Sequence, residues 1–413
     1  MNDATVVRRS ILRTIVATWC VYTSVGVLVP LVPQYICERY GSGATAIGVA
    51  VLVYGAANVA ARPIAGWFLR SGDPWRLMTL SVVVGVAALL LTPLAPNLPW
   101  MLALRFVEGA TVGMFYTAAA TNVVRQTPHT QRGRVLSYFS VPLILGVAVG
   151  PVIGDVLIGS AGLDRTWLLS GVIMLLAVPV CLVRTGQPAG GAAPVPAANP
   201  AVSTSWRQAL LEPLIQPAAV WPAIVLALSI AGFGGFQALV PVYGPQIGLQ
   251  ATGSVFFVYS VLTMLIRVAC ATVFDRLPIV EAVLVGCVAD VAGLAVVWLW
   301  PTPAALYVGA VLMAVAIALQ YVLLMKLALT GVSRSQEGTI VAAYSSSYDM
   351  GAGLGAAAMG LVVSATGSYR SAFLAGAVCA LFGAIVLVVR FWSRRHMYVG
   401  TPIWSEPLRA DPE

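Results

Sequence analysis

The sequence predicts an all-α polytopic membrane protein: twelve transmembrane helices arranged as two pseudo-symmetric six-helix bundles. Three observations lead there. Apolar stretches, each close to the ~20 residues a helix needs to cross ~30 Å of hydrocarbon, succeed one another through the 413 residues. Composition agrees: 59% of residues are hydrophobic, only 9% are charged, and the mean hydropathy is +0.90, far above what a soluble domain of this size could keep in solution. Finally, the chain repeats itself at an offset of about half its length.

Taken in order, charged and Pro/Gly clusters divide the first half into spans near 11–37, 45–69, 76–95, 99–123, 135–159 and 165–184. The first run is too long for a secretory h-region and ends in Pro33-Gln34-Tyr35 instead of a small-residue cleavage site, so it reads as a true span. Between Gly186 and Pro200 lies a stretch whose Pro and Gly forbid helix and whose lack of large side chains forbids a core. Further spans follow near 216–243, 250–274, 279–299, 303–327, 338–366 and 370–392. The expected organisation is an N-terminal bundle over 1–184, a cytoplasmic linker over 185–214, a C-terminal bundle over 215–392 and a cytoplasmic tail over 393–413.

Basic residues orient the spans. With both termini cytoplasmic, Arg8, Arg9, Arg13, Arg70, Arg76, Arg125, Arg132, Arg134, Arg184, Arg207, Arg276, Lys326, Arg334, Arg390, Arg394, Arg395 and Arg409 fall inside, and only Arg39, Arg165 and Arg370 fall outside. Seventeen against three obeys the positive-inside rule. The net charge of +8 is therefore read as topology, and nucleic acid is set aside. Twenty-two Arg against one Lys, with abundant Ala, Val and Gly, suggests a GC-rich bacterial genome and hence an inner-membrane location. Six Cys, mostly inside spans, form no CxxC, and neither they nor His129 and His396 suggest a metal site. With no cofactor motif, no GxxxxGK[ST] loop and no room for a soluble catalytic domain, an enzyme is not expected.

An ungapped shift of 205 residues superposes Gly48 on Gly253, Tyr54 on Tyr259, Arg62 on Arg267, Gly146 on Gly351, Gly150 on Gly355, Arg165 on Arg370 and Gly171 on Gly376. Glycine matches come cheaply in this chain; the weight rests on Tyr-x7-Arg recurring in spans two and eight and on the paired external Arg. Parallel repeats about an axis along the membrane normal are a transporter architecture, with the solute site near the midplane between halves.

Local motifs point the same way. The run Arg62-Pro-Ile-Ala-Gly66-Trp-Phe-Leu-Arg70-Ser-Gly72-Asp73-Pro-Trp-Arg76 resembles the loop signature between spans two and three of the major facilitator superfamily. Leu102-Ala-Leu-Arg105-Phe-Val-Glu108-Gly109 resembles the family's fourth-span motif, and Gly146-Val-Ala-Val-Gly150-Pro151-Val-Ile-Gly154 the fifth-span motif of its proton-coupled antiporters. The likeness covers about 11–392. It departs in two places: Arg70 stands where an Asp is usual, although Asp275-Arg276 keeps that acid in the second half, and Asp155 replaces the last Gly of the antiporter motif.

Embedded charges are functional candidates, since each costs at least ~2.5–3.5 kcal/mol in hydrocarbon on insertion scales. Glu108 lies near mid-depth of span four, one helical turn from Arg105, where an ion pair can form and a proton can compete for the carboxylate. Asp349 lies midway through span eleven, Asp290 near the middle of span nine, and Asp155 nearer the outer surface. Each also admits a structural role: Glu108 as permanent neutraliser of Arg105, Asp349 as partner of a nearby hydroxyl. By resemblance, Arg105 takes part in proton coupling. Arg62 and Arg267 either snorkel as anchors or, with Arg70, Asp73, Arg76, Asp275 and Arg276, form an inner gate whose ion pairs break on opening. Gly146, Gly150 and Gly154 put a side-chain-free face on span five, and Pro151 interrupts its hydrogen-bond ladder, giving a close-packed, bendable seam. The resemblance further implies that spans one, four, seven and ten line the cavity, so Tyr22, Tyr116, Phe233, Phe236, Gln237, Gln320 and Tyr321 become candidate solute contacts.

The expected activity is proton-coupled efflux of a small organic solute through the lipid bilayer, by a monomer using alternating access. Import of a metabolite by proton symport is the competing reading, and it predicts uptake that rises with the inward proton gradient.

Overall fold

The computed structural model describes residues 3–70, 72–127, 132–183, 217–269, 277–330, 332 and 337–398. The expected linker 185–214, residues Asp275 and Arg276, His129 and the end of the expected tail lie outside them. Among the described residues there are twelve helical spans: α1 Asp3–Tyr40, α2 Ala44–Phe68, α3 Pro74–Leu91, α4 Leu98–Arg125, α5 Arg132–Ala161, α6 Leu163–Leu182, α7 Pro217–Gln246, α8 Gly253–Ala269, α9 Ile279–Leu299, α10 Pro303–Leu329, α11 Glu337–Thr366 and α12 Tyr369–Tyr398.

Local chemistry fixes their ends. Asp73, Asn97 and Thr302 cap α3, α4 and α10 by accepting from the backbone N–H of Trp75, Trp100 and Ala305, and each cap is followed by proline in the first turn. On the side of the membrane away from the described chain ends, the turns after α1, α5, α7 and α11 pass through Gly41, Gly162, Gly248 and Gly367 at φ of 58°, 80°, 91° and 69°, a region that side chains disfavour. α6 breaks at Leu176, where Pro179 cannot donate to Leu175 four residues back.

Among the described residues, ten helices are by themselves long and apolar enough to cross a membrane. The other two are α4, diluted by Arg105, Glu108 and a polar final third, and α8, whose described portion is 17 residues. Both are spans by position, because each is packed within its bundle. Leu80, Leu94, Val268 and Val389 are among many large apolar side chains facing outward, and Trp67, Trp100 and Trp300 are exposed at helix ends, as expected of lipid contact flanked by interfacial aromatics.

Packing repeats across the two halves. α1 lies on α5 as α7 lies on α11, α2 on α4 as α8 on α10, and α3 on α6 as α9 on α12. Small residues set these approaches: a methyl group added to Gly26 would sit 2.8 Å from Gly150 Cα, and one added to Gly351 would sit 2.7 Å from Ala227 Cα. The halves join by exchange, α2 against α11 and α8 against α5. At these junctions Gly48 abuts Ala357 and Gly253 abuts Val152, pairs related by the 205-residue offset.

Candidate functional site

Gly55 lets α2 approach the backbone of Asp349 on α11, where an added methyl group would sit 3.1 Å from the Asp349 carbonyl oxygen. Two turns further along α2, the Arg62 side chain leans toward its own helix N-terminus, as helical side chains do, and so reaches back toward the membrane middle. Its Nη2 donates to Asp349 Oδ2 at 2.5 Å, its Nε donates to Asn58 Oδ1 at 3.2 Å, and its guanidinium lies 5.5 Å from the centre of the Tyr116 ring. Arg62 is thus turned inward and does not snorkel. Each side chain of the pair keeps 22% of its surface exposed, so water reaches a charge pair that bridges the two halves. Tyr22 and Tyr54 also lie within electrostatic range of it.

The second half repeats the cation and the ring but not the acid. Arg267 of α8 lies 5.0 Å from the centre of the Tyr321 ring, as Arg62 does with Tyr116, and both pairs obey the 205-residue offset. Where Arg62 has Asn58 and Asp349, the register supplies Thr263 and Ile144. Thr263 turns its hydroxyl to the Tyr259 carbonyl at 2.8 Å, and Arg267 Nε is buried with no hydrogen-bond partner among the described residues.

A second ion pair lies wholly inside the first bundle. Arg105 Nη1 donates to Glu108 Oε2 at 2.5 Å, with side chains 7% and 4% exposed. Tyr54 offers its ring face to the Arg105 guanidinium at 4.5 Å, and Thr92 donates to Glu108 Oε1 at 3.4 Å. Beside Glu108 a void of about 10 Å³, lined also by Ser24, Tyr54, Gly85 and Thr111, has room for about one water.

The remaining predicted residues scatter. Asp155, near the far end of α5, accepts from Gly253 N–H at 2.5 Å and thereby caps α8 across the junction. Beside the other junction Thr45 bonds Ser364 at 2.6 Å, so the halves are tied on the far side. α4 and α10 pack on their own bundles and are not a packed pair, and Arg62–Asp349 is the one ion pair between the halves among the described residues. Asp290 is buried in the second bundle, where Gln320 Nε2 donates to it at 3.1 Å; Gln320 is itself fully buried. Phe236 is also fully buried, and Phe233 is stacked on Tyr259 at 4.1 Å, so both are engaged inside the second bundle; Gln237 is half-buried. Asp73 is a helix cap, whereas Arg70 and Arg76 are exposed. The α2–α3 loop is instead tied down by Arg125, which donates to the carbonyls of Leu69 and Gly72. Gly146, Gly150 and Gly154 all face α1, against Tyr22, Gly26 and Val27, with Pro151 at the α8 junction. Sequence reasoning named Tyr54 only as a repeat marker and passed over Asn58 and Tyr348; the Tyr116–Tyr321 match was available at the same offset.

Two repeated bundles spanning a bilayer, with charged and aromatic side chains gathered on the boundary between them, define a membrane transporter. The Major Facilitator Superfamily profile matches residues 14–302, and the chain belongs to that family. It is 26% identical over 387 residues to an uncharacterised MFS-type transporter of Burkholderia mallei (strain SAVP1), covering 91% of this chain and 90% of the relative. It is 24% identical to another from Salmonella typhimurium, covering 92% and 95%. Among solved structures, the nucleoside transporter NupG superposes with a TM-score of 0.74 at 12% identity, covering 92% of this chain and 99% of the other. A POT family transporter in complex with a thioalcohol-conjugated peptide gives 0.78 at 12% identity, covering 94% and 96%. These likenesses establish the fold of a transporter, not its solute.

Proposed function

We propose that the protein exports a small organic solute, such as a drug-like compound, secreted metabolite, sugar or metallophore, across the bacterial inner membrane in exchange for protons. It works as a monomer by alternating access, with bundles 1–184 and 215–392 rocking about the boundary, linker 185–214 joining them, and tail 393–413 and both termini in the cytoplasm. The observation that supports this reading above the others is the Arg62–Asp349 pair: a titratable carboxylate bonded across the moving boundary and reached by water. A proton on Asp349 cancels the attraction that ties α2 to α11 there, so protonation and separation of the helices are linked. Arg105 and Glu108 form a further acid–base pair within the first bundle, with water-sized space beside the carboxylate. The Gly-Pro seam on α5 adds sequence support for exchange over symport.

The test is reconstitution in vesicles with an imposed pH gradient and a screen of organic solutes. Export reads out as solute movement opposite to the proton flux, with D349N abolishing gradient-driven accumulation while downhill exchange persists. Solute and proton moving together would instead assign symport, and accumulation unchanged in D349N would remove Asp349 from the coupling.

A further inference from the structure

From the broken symmetry of the two arginines we infer that the transported solute is an amphipathic organic anion whose acid group binds Arg267 while its apolar part lies on the Tyr321 ring. This rests on the transporter reading and narrows the solute class. The backbone repeat delivers two guanidiniums to equivalent places on α2 and α8, each over an equivalent tyrosine of α4 or α10. Arg62 finds its counter-charge in Asp349 and its Nε acceptor in Asn58. At the positions that the 205-residue offset makes equivalent to Asp349 and Asn58 stand Ile144, which carries no charge, and Thr263, whose hydroxyl is spent on its own helix. Among the described residues Asp349 pairs with Arg62 and the other boundary carboxylate, Asp155, is engaged as the α8 cap at the far end, so Arg267 is left without an acid, while Arg105 is neutralised within its own bundle. A guanidinium in a membrane interior that lacks an anion is costly, and a bound carboxylate or phosphate supplies the bidentate partner that the planar fork fits. Tyr348, half-buried, stands 6.0 Å from Tyr321, ring centre to ring centre, and widens the aromatic wall beside this cation, while the fully buried Tyr344 backs the Tyr321 ring at 5.6 Å.

Three probes sharing one ring system but differing in charge test the assignment: 2-naphthoate, 2-naphthamide and 2-naphthylmethylammonium, titrated onto the purified full-length protein in detergent. Naphthoate should bind on the order of tenfold more tightly than the amide, as one charge-assisted contact worth about 1.4 kcal/mol implies, and the ammonium least. R267Q should bring naphthoate and amide within about twofold, and R267K should retain part of the preference, because the charge remains without the fork. A melting transition for both variants close to that of the parent shows that the site, not the fold, has changed. Equal binding of all three probes, failure of the parent to bind naphthoate, or a preference that survives R267Q each overturns the anion site. Because binding in detergent needs no gradient, naphthoate selectivity without gradient-driven movement would remove proton exchange and leave the anion site. Proton-driven transport by a protein blind to probe charge would do the reverse.

Discussion

The two junctions between the halves share one backbone plan and differ in chemistry. Where α2 meets α11, glycines at 48 and 55 bring the helices close and a side-chain ion pair crosses partway down. Where α8 meets α5, Gly253 gives the same close approach, yet the polar link is a carboxylate on a backbone amide at the far end, and the arginine beyond it has no acid among the described residues. Duplication fixes helix positions and the arginine–tyrosine pairs. Single substitutions, Asp349 against Ile144 and Asn58 against Thr263, then decide which junction is locked by charge and which is left free to take one.

The largest effect should come from setting the pair inside one bundle against the pair between bundles. E108Q strands Arg105 in a site with almost no water, so stability should fall by about 3–5 kcal/mol, read as a lower melting midpoint in detergent; replacing both residues by Met should recover most of it. D349N should lower stability less, because its pair is 22% exposed: about 2 kcal/mol after allowing for solvent screening, equivalent to ~30-fold in the population of the closed α2–α11 junction. Cysteine cross-linking between the two helices would measure it, and a D349N loss equal to that of E108Q would show that the two pairs do not differ in solvent screening. Next, I144D makes the second junction resemble the first; it should lower naphthoate affinity by about tenfold by giving Arg267 an internal partner. Smallest is D155A, which removes the cap on α8 and costs about 1 kcal/mol, seen as several-fold faster reaction of a cysteine at Ser254 with an impermeant maleimide.

Much of the scaffold was legible in the chain because membrane helices must satisfy their own backbone, which makes spans readable one at a time. The twofold repeat was legible too, through Tyr54, Arg62 and their partners at 259 and 267. Partnerships were legible only when local. Arg105 and Glu108, one turn apart, could be paired by spacing alone, whereas Arg62 and Asp349 lie 287 residues apart in different halves, and nothing in either neighbourhood names the other. The cavity contacts suffered most, because helices apolar all round give no phase: Phe236 and Gln320 point into the second bundle, whereas Tyr116 and Tyr321 sit beside the arginines.

That difference in sequence separation also bears on biogenesis. Arg105 and Glu108 enter the bilayer on one helix, already neutralised by each other, so their insertion needs no help from the rest of the chain. Arg62 leaves the ribosome long before Asp349 is translated, and until α11 arrives its charge has to be sheltered by the headgroups or by an insertase. Truncated first halves should therefore be prime targets for membrane quality control, and co-expressed halves should rescue each other from degradation by completing this pair.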